Sequence, residues 1–292
     1  MIKKYKIGIL GNFNKHKFYE IFNDLSKFLI SEGIDFNLLE NSNINLGNIV
    51  YKDRIANFNA VKDSDVILSI GGDGTIISSI RKFLKYKKPV LGLHIGGLGF
   101  LAECNHANYK DKILDIINGN YYIENRMILN VGSKDGRINH DIINEIVIDR
   151  RDSARIVKTN ISISGKFANT YESDGIIFST PTGSTAYSLS AGGPIVYPSM
   201  NIIIITPICP HTLSMRPLII PDSDIIDVTF DKFKSSNLSL TVDGQIQEII
   251  NANDVITVKK SDCCAYLVKF NKDDYFQTLR DKMSWKGNLR IK

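Results

Sequence analysis

The stretch Ser69-Ile70-Gly71-Gly72-Asp73-Gly74-Thr75 follows the apolar run Val66-Ile67-Leu68 and precedes a segment with helical spacing from Ile76 to about Tyr86. An acid flanked by glycines at a strand-to-helix junction is a special backbone solution. Glycine reaches positive φ and carries no Cβ, so a phosphate or a ribose can come close to the main chain. The helix that follows presents N–H groups and a partial positive charge to an anion. Asp73 is then the one full charge in the turn. The same four residues also make an ordinary surface turn, but the position between strand and helix favours a nucleotide or phosphate site.

Working outward, Ile7-Gly8-Ile9-Leu10-Gly11-Asn12 reads as a buried first strand. Phe18, Ile21, Phe22, Leu25, Phe28 and Leu29 then recur at helical spacing. Ile34–Leu39 is a second strand, Asp65–Ile70 a third, and Pro89–Ile95 a fourth that ends in Gly96-Gly97-Leu98-Gly99-Phe100. Strands alternating with helices predict a parallel α/β sheet over residues 1–120. Ligands of such sheets sit beyond the carboxyl ends of the strands, where both glycine-rich stretches lie.

Past Asn118-Gly119-Asn120-Tyr121 the texture changes to short strand-like runs: Met127–Val131, Ile142–Ile148, Val157–Ser164, Ile176–Ser179, Ile202–Thr206, Ile225–Phe230, Leu238–Val242, Asp254–Val258 and Ala265–Phe270. Asp135-Gly136, Ser164-Gly165 and Asp243-Gly244 supply turns between them. Residues 121–270 are therefore expected to form an all-β domain. The charged tail, 271–292, carries Tyr275, Phe276, Leu279 and Trp285 and is expected to pack back on the first domain.

With 292 residues, 43% hydrophobic and 23% charged, the chain has the composition of a globular protein with room for two cores. Its net charge of +5 is spread along the sequence, and no basic stripe interleaved with aromatics points to nucleic acid. Cys104, Cys209, Cys263 and Cys264 lack metal-ligand spacing and read as buried reduced thiols, the adjacent pair pointing to opposite faces of a strand. The first apolar segment breaks at Gly11-Asn12, and no run reaches membrane-spanning length. The expected location is the cytoplasm, with no membrane partner.

A second chemistry-bearing segment runs from Asp174 to Pro194. The strand Gly175-Ile176-Ile177-Phe178-Ser179 leads into Thr180-Pro181-Thr182-Gly183-Ser184-Thr185-Ala186-Tyr187-Ser188-Leu189-Ser190, closed by Ala191-Gly192-Gly193-Pro194. Thr182, Ser184, Thr185, Ser188 and Ser190 supply donors and acceptors, and Tyr187 supplies a ring for stacking on a base. Ser and Thr also favour helix caps, yet so many small polar residues around one aromatic favour a binding loop. Asn144-Glu145 ends or interrupts an apolar run; strict alternation puts the two on opposite faces, and taken alone the pair reads as an exposed strand position. His211, in Pro210-His211-Thr212-Leu213, reads first as a loop histidine, and Val242-Asp243-Gly244-Gln245 as a hairpin turn.

Together these residues resemble the NAD kinase family. The motifs that carry the resemblance are Gly71-Gly72-Asp73-Gly74-Thr75, Leu98-Gly99-Phe100-Leu101, Asn144-Glu145, Asp174–Pro194, Pro210-His211-Thr212-Leu213 and Val242–Gln245. The long Asp174–Pro194 block is specific. The first turn is not, since diacylglycerol and sphingosine kinases and phosphofructokinases share a similar one. The resemblance implies an N-terminal Rossmann-like, phosphofructokinase-like α/β domain followed by a C-terminal β-sandwich domain, with an active site between the two. It implies transfer of the terminal phosphoryl of ATP, or of polyphosphate in some members, to the 2′-hydroxyl of the adenosine ribose of NAD, giving NADP. It also implies Mg2+ with the ATP and a homo-oligomer, dimer or tetramer, built through the β domain. Asp73 would be the catalytic base, with Gly71, Gly72, Gly74 and Thr75 forming the phosphate-donor loop. Asp73 and Gly74, Phe100, Asn144 and Glu145, Arg155, Asp174, Thr185, Ala186, Tyr187, Ser188, Leu189, Ser190 and Gln245 would line the NAD pocket. The chemistry agrees, because a ribose hydroxyl is a poor nucleophile and a carboxylate within hydrogen-bond reach can take its proton.

One departure is Glu172, where many bacterial relatives carry arginine. A carboxylate there repels phosphate and leaves the choice between NAD and NADH open. Two rivals share features with this reading. A lipid kinase of the diacylglycerol type shares the first turn but needs an apolar pocket, whereas the loop here is hydroxyl-rich. A non-catalytic NAD(P)-binding sensor needs no acid at the turn, so Asp73 speaks against it.

Overall fold

The computed structural model describes residues 5–97, 99–150, 156–212, 214–231, 238–271 and 274–284. Its described residues divide into two compact units, one running up to Asn125 and resuming at Tyr266, the other Arg126–Ala265.

In the first unit the elements run β1 (Lys6–Gly11), α1 (His16–Ser31), β2 (Asp35–Leu39), β3 (Ile55–Ala56), α2 (Phe58–Lys62), β4 (Val66–Gly71), α3 (Asp73–Phe83), β5 (Val90–His94), β6 (Cys104–Asn105) and α4 (Tyr109–Ile117). The strands are parallel in the order β5-β4-β1-β2-β3, with β6 beside β5. Every residue of β4 is buried, as expected of a strand in a parallel sheet covered on both faces. Phe18, Ile21, Phe22, Leu25 and Leu29 form the buried face of α1. They pack with Ile7, Ile9, Phe36, Leu38, Leu68 and Leu91 in the core of this unit.

The second unit holds β7 (Tyr122–Ser133, of which the first four residues belong to the first unit), β8 (Asn139–Ile142), β9 (Glu145–Arg150), β10 (Val157–Ile163), β11 (Lys166–Ser173), β12 (Gly175–Ser179), α5 (Tyr187–Ser190), β13 (Ile202–Ile208), β14 (Leu218–Pro221), β15 (Ile226–Phe230), β16 (Leu238–Val242), β17 (Ile246–Ile250) and most of β18 (Ile256–Lys269). One antiparallel sheet has the order β14-β13-β12-β9-β16-β17. A second is formed by β11, β10, β15 and β18, and β7 pairs with β8. Ile146, Ile148, Ile176, Phe178 and Ile203 of the first sheet share one core with Val157, Ile161, Ile226 and Val228 of the second. That is a sandwich.

After β18, α6 (Asp274–Met283) belongs to the first unit and buries Leu279. The two runs expected at 254–258 and 265–270 are one continuous strand, and the run expected at 142–148 is two strands broken at Ile143-Asn144. Of the four thiols, all free, only Cys104 is buried; Cys209 is exposed and Cys263 and Cys264 are half-buried. The expectation of buried cysteines holds for Cys104 alone.

Candidate active site

The glycine-rich turn is the first turn of a helix. Gly72 is the N-cap in extended backbone (φ −101°, ψ −177°) and Asp73 opens α3, three residues earlier than the spacing from Ile76 predicts. An acid in a first helical turn complements the positive end of the helix dipole. The N–H groups of Thr75 and Ile76 both donate to the Gly72 carbonyl (2.9 and 3.1 Å). The half-buried Asp73 carboxylate is held by the loop that follows β5. Phe100 N–H donates to Oδ2 (2.9 Å) and Leu101 N–H to Oδ1 (3.2 Å). Gly99 makes that approach possible, because a Cβ there would stand 2.1 Å from Asp73 Oδ1. The Phe100 ring lies 5.9 Å from Lys282 Nζ of α6.

In the second unit Asn144 and Glu145 stand at the break between β8 and β9, and Glu145 is buried at 6% exposure. This corrects the reading of the pair as an exposed strand position, since Asn144 is half-buried and Glu145 buried. The segment is gripped from two sides. From the end of β12, Thr180 N–H donates to Asn144 O (2.9 Å), Ser179 Oγ to the same carbonyl (3.3 Å), and Thr180 Oγ1 to Ile143 O (2.7 Å). From the β16–β17 turn, Asp243 takes the N–H groups of Ile143, Asn144 and Glu145. Gly183 passes so close that a Cβ there would sit 2.2 Å from Asn144 O.

Burial, and then the negative charge of Asp243, push the Glu145 carboxyl up to about 8, against a smaller opposing effect from the Tyr187 N–H that donates to it. Glu145 Oε2 is buried without a hydrogen-bond partner among the described residues. An orphaned polar atom in a native fold asks for a ligand or a water.

The hydroxyl-rich loop divides its labour. Ser184 Oγ donates to Val196 O and accepts Val196 N–H, and Ser188 Oγ shares a hydrogen bond with Thr206 Oγ1 (2.9 Å). Both hydroxyls are buried and fasten the loop to the sheet. Tyr187 is exposed, Thr185, Ala186 and Leu189 are half-buried, and Ser190 is exposed. Gln245 is exposed on the β16–β17 turn. Asn144, Glu145, the 180–187 loop and the 243–245 turn therefore converge at one end of β12. Asp174 stands at the other end, about 20 Å from Thr180 at strand rise. Its carboxylate lies 4.0 Å from His211 Nε2, and His211 N–H donates to Glu172 O (3.0 Å). Glu172 pairs with Lys158 (3.2 Å). Arg155, Leu98, Leu213 and Trp285 lie outside the described residues.

Pattern reading misses Gly99 and Asp243. The dense glycines of 96–99 hint at a close approach without naming what approaches. Asp243 looks like any hairpin residue until its carboxylate is seen to point inward.

An acid fixed at the head of a helix in the α/β unit, and a buried carboxyl beside an exposed aromatic loop in the β unit, are groups that a phosphotransferase acting on a nucleotide would use. Residues 7–121 match the family model of the ATP-NAD kinase N-terminal domain and residues 143–270 that of the ATP-NAD kinase C-terminal domain. The chain is 38% identical over 283 residues to the NAD kinase of Caldanaerobacter subterraneus subsp. tengcongensis, covering 96% of this chain and 99% of that protein. It is 42% identical over 225 residues to the NAD kinase of Clostridium botulinum strain Loch Maree, covering 76% and 79%. Among solved structures, yeast NADH kinase complexed with NADH superposes with a TM-score of 0.86 at 27% identity, over 99% of this chain and 90% of that one. An NAD kinase from Archaeoglobus fulgidus in complex with ATP shares the fold, with a TM-score of 0.75 at 23% identity over 96% and 98%. This chain belongs to the NAD kinase family.

Proposed function

We propose that Asp73 is the base of an ATP-dependent phosphorylation of NAD, accepting the proton of the adenosine ribose 2′-hydroxyl as that oxygen attacks the terminal phosphoryl group. The chain is an enzyme that phosphorylates NAD, and neither the lipid kinase nor the sensor reading applies to it. The observation that carries the role of Asp73 is its clamped carboxylate. Two backbone N–H groups fix both oxygens, so the acid meets the hydroxyl without first losing rotamer freedom, the orientation advantage that makes bound reactants fast. General-base assistance of this kind contributes roughly 10²–10⁴-fold.

Glu145, buried with an unpartnered oxygen, and Asn144 beside it hold a ribose of the dinucleotide, while the exposed Tyr187 ring stacks on a base. Thr185, Ala186, Leu189, Ser190 and Gln245 line the same pocket. Ser188 acts through the loop conformation that its buried hydroxyl fixes. Asp174 stands a strand length away from this cluster. We place it in the same reaction through a homo-oligomer of β units, in which a second copy offers it.

Among the described residues no three His, Cys, Asp or Glu side chains converge into a cage. The Asp73 carboxylate is the hard oxygen donor magnesium accepts, and magnesium keeps water and phosphate ligands and needs few from protein. Asp73 is the single carboxylate the turn offers it. An ion held there with the nucleotide would supply charge neutralisation on the donor's phosphates.

No helix among the described residues is long and apolar enough to cross a membrane, and four free thiols suit the reducing cytoplasm. The test is NADP formation by the purified protein with ATP and magnesium, repeated with NADH and with polyphosphate. Asp73→Asn should lower kcat at least 100-fold while calorimetric NAD binding persists. Wild-type turnover in that variant rules Asp73 out as the base.

A further inference from the structure

The Val242–Gln245 turn does more than close a hairpin. Asp243 (φ 47°) and Gly244 (φ 65°) both occupy the left-handed region, and Gln245 N–H donates to Val242 O (2.9 Å), the geometry of a type I′ turn. Such a turn asks only that its first central residue tolerate positive φ, and an Asp there commonly faces water. Here Asp243 is 8% exposed. Its Oδ2 accepts Ile143 N–H (3.1 Å), and its Oδ1 accepts Asn144 N–H (2.7 Å) and Glu145 N–H (3.1 Å). Its own N–H donates to Glu145 O (2.9 Å). Three successive N–H groups gathered on one carboxylate cannot belong to an extended strand, whose N–H groups alternate sides. They form a nest, and the break between β8 and β9 is its consequence.

We propose that Asp243 is a positioning residue for dinucleotide recognition, its carboxylate holding Asn144 and Glu145 in the curled backbone that turns their side chains to the ligand. The proposal rests on the reading of Asn144 and Glu145 as ligand-binding residues. It adds a residue roughly a hundred positions away without which that pair reverts to strand geometry.

The arrangement leaves a second signature. The Asp243 charge stands beside a buried carboxyl and favours its protonated form. The other elements around Glu145 add little to oppose it. The 175–186 segment has no titratable side chain. α5 contributes the Tyr187 N–H to Glu145 while its phenol ring is exposed, and Arg126 reaches that loop at Thr182 Oγ1 (3.3 Å). Near neutral pH Glu145 thus presents an O–H as well as an acceptor, and removing the charge of Asp243 should release that proton at lower pH.

Steady-state kinetics of NADP formation between pH 6 and 9 test this with Asp243→Asn. An amide retains one acceptor oxygen but replaces the other with a donor that faces Ile143 N–H. The expected result is a KM for NAD raised about 10-fold, a KM for ATP within about twofold of wild type, and an inflection of the KM(NAD)–pH profile displaced toward acid. If both KM values rise together with the inflection in place, Asp243 is merely structural and the proposal is overturned. Wild-type kinetics overturn it equally. Should Asp243→Asn fail to fold, Asp243→Glu decides: charge kept and geometry lost predicts a raised KM for NAD with the inflection unmoved, whereas a wild-type KM refutes the positioning role. Glu145→Ala, which removes donor and acceptor together where glutamine would mimic the protonated acid, separates the two layers. A wild-type KM for NAD in that variant refutes the ligand role of the pair and the proposal with it. A raised KM there beside wild-type behaviour of Asp243→Asn refutes the proposal alone.

Discussion

Gly99→Ala probes the placement of Asp73, the proposed base, without replacing it. The added Cβ would stand 2.1 Å from Asp73 Oδ1 and 2.8 Å from Cγ, and ordinary contact begins near 3.4 Å. The carboxylate must therefore retreat by about 1.3 Å, the difference of the two distances. Its bonds from Phe100 N–H (2.9 Å) and Leu101 N–H (3.2 Å) stretch or break with it. A misplacement of about 1 Å at a reacting centre costs on the order of 100-fold in rate, or about 2.7 kcal/mol of barrier at 1.36 kcal/mol per decade. Two N–H groups losing a charged acceptor cost about 1–3 kcal/mol each if they stay dry. Alanine returns about 0.4–1 kcal/mol by restricting the unfolded chain, since Gly99 does not need positive φ. The net loss of about 1–5 kcal/mol should lower Tm by about 2–4 °C per kcal/mol. The assay couples NADP formation to an NADP-specific dehydrogenase at saturating NAD and magnesium-ATP, with a thermal melt on the same preparation. Expected are a folded protein and a kcat about 100-fold down. A folded Gly99→Ala protein working within threefold of wild type would show that the clamp on Asp73 is irrelevant to turnover.

Other outcomes follow from the same geometry. Glu145 ionises near pH 8 when folded and near 4.5 when unfolded, so between those values the native chain holds a proton that the unfolded chain has shed. Its contribution to stability is full below about 4.5 and declines as pH rises to about 8, by up to ~1.4 kcal/mol per unit. The Tm of Glu145→Gln should accordingly gain on wild type from pH 5 to 8.5; parallel Tm curves would contradict the raised value. Gly183→Ala drives a Cβ to 2.2 Å from Asn144 O, a main-chain atom that cannot swing aside. A urea melt should show a loss of about 1–3 kcal/mol, and an unchanged midpoint would mean that the loop yields freely. Thiol titration should find Cys209 modified at once and Cys104 only in denaturant, because burial first, and the charge of Glu103 second, raise the Cys104 thiol well above its usual range. Rapid modification of Cys104 in the native protein would contradict its burial.

What could be read from the residues divides along a physical line. Local chemistry was legible: the glycine-flanked Asp73, the hydroxyl-rich loop around Tyr187, and the change from alternating helices and strands to strands alone. The spacing places the start of α3 too late because glycines depress helix propensity, while Gly72 as N-cap and Asp73 in the first turn make them a helix start. The Asn144–Glu145 pair looked exposed because a period-2 pattern presumes a regular ladder, and Asp243 breaks that ladder from a distant point in the chain. β11 escaped notice because its first four residues, Lys166–Asn169, are exposed and its sequence carries no apolar alternation. The pattern divides β18 because Lys259–Cys264, polar and partly exposed, continues a strand that the pattern alone would end.

The proposed base is carried on the first residue of an eleven-residue helix whose underside, Ile76, Ile77, Ile80 and Phe83, is sealed in the core. Such a helix is about 16 Å of rigid rod, so its tip inherits every shift in the seating of its far end. A methyl group gained or lost beneath Phe83 should therefore displace that tip as well as cost stability, and a screen that scores folding alone would miss the part of the damage that falls on turnover.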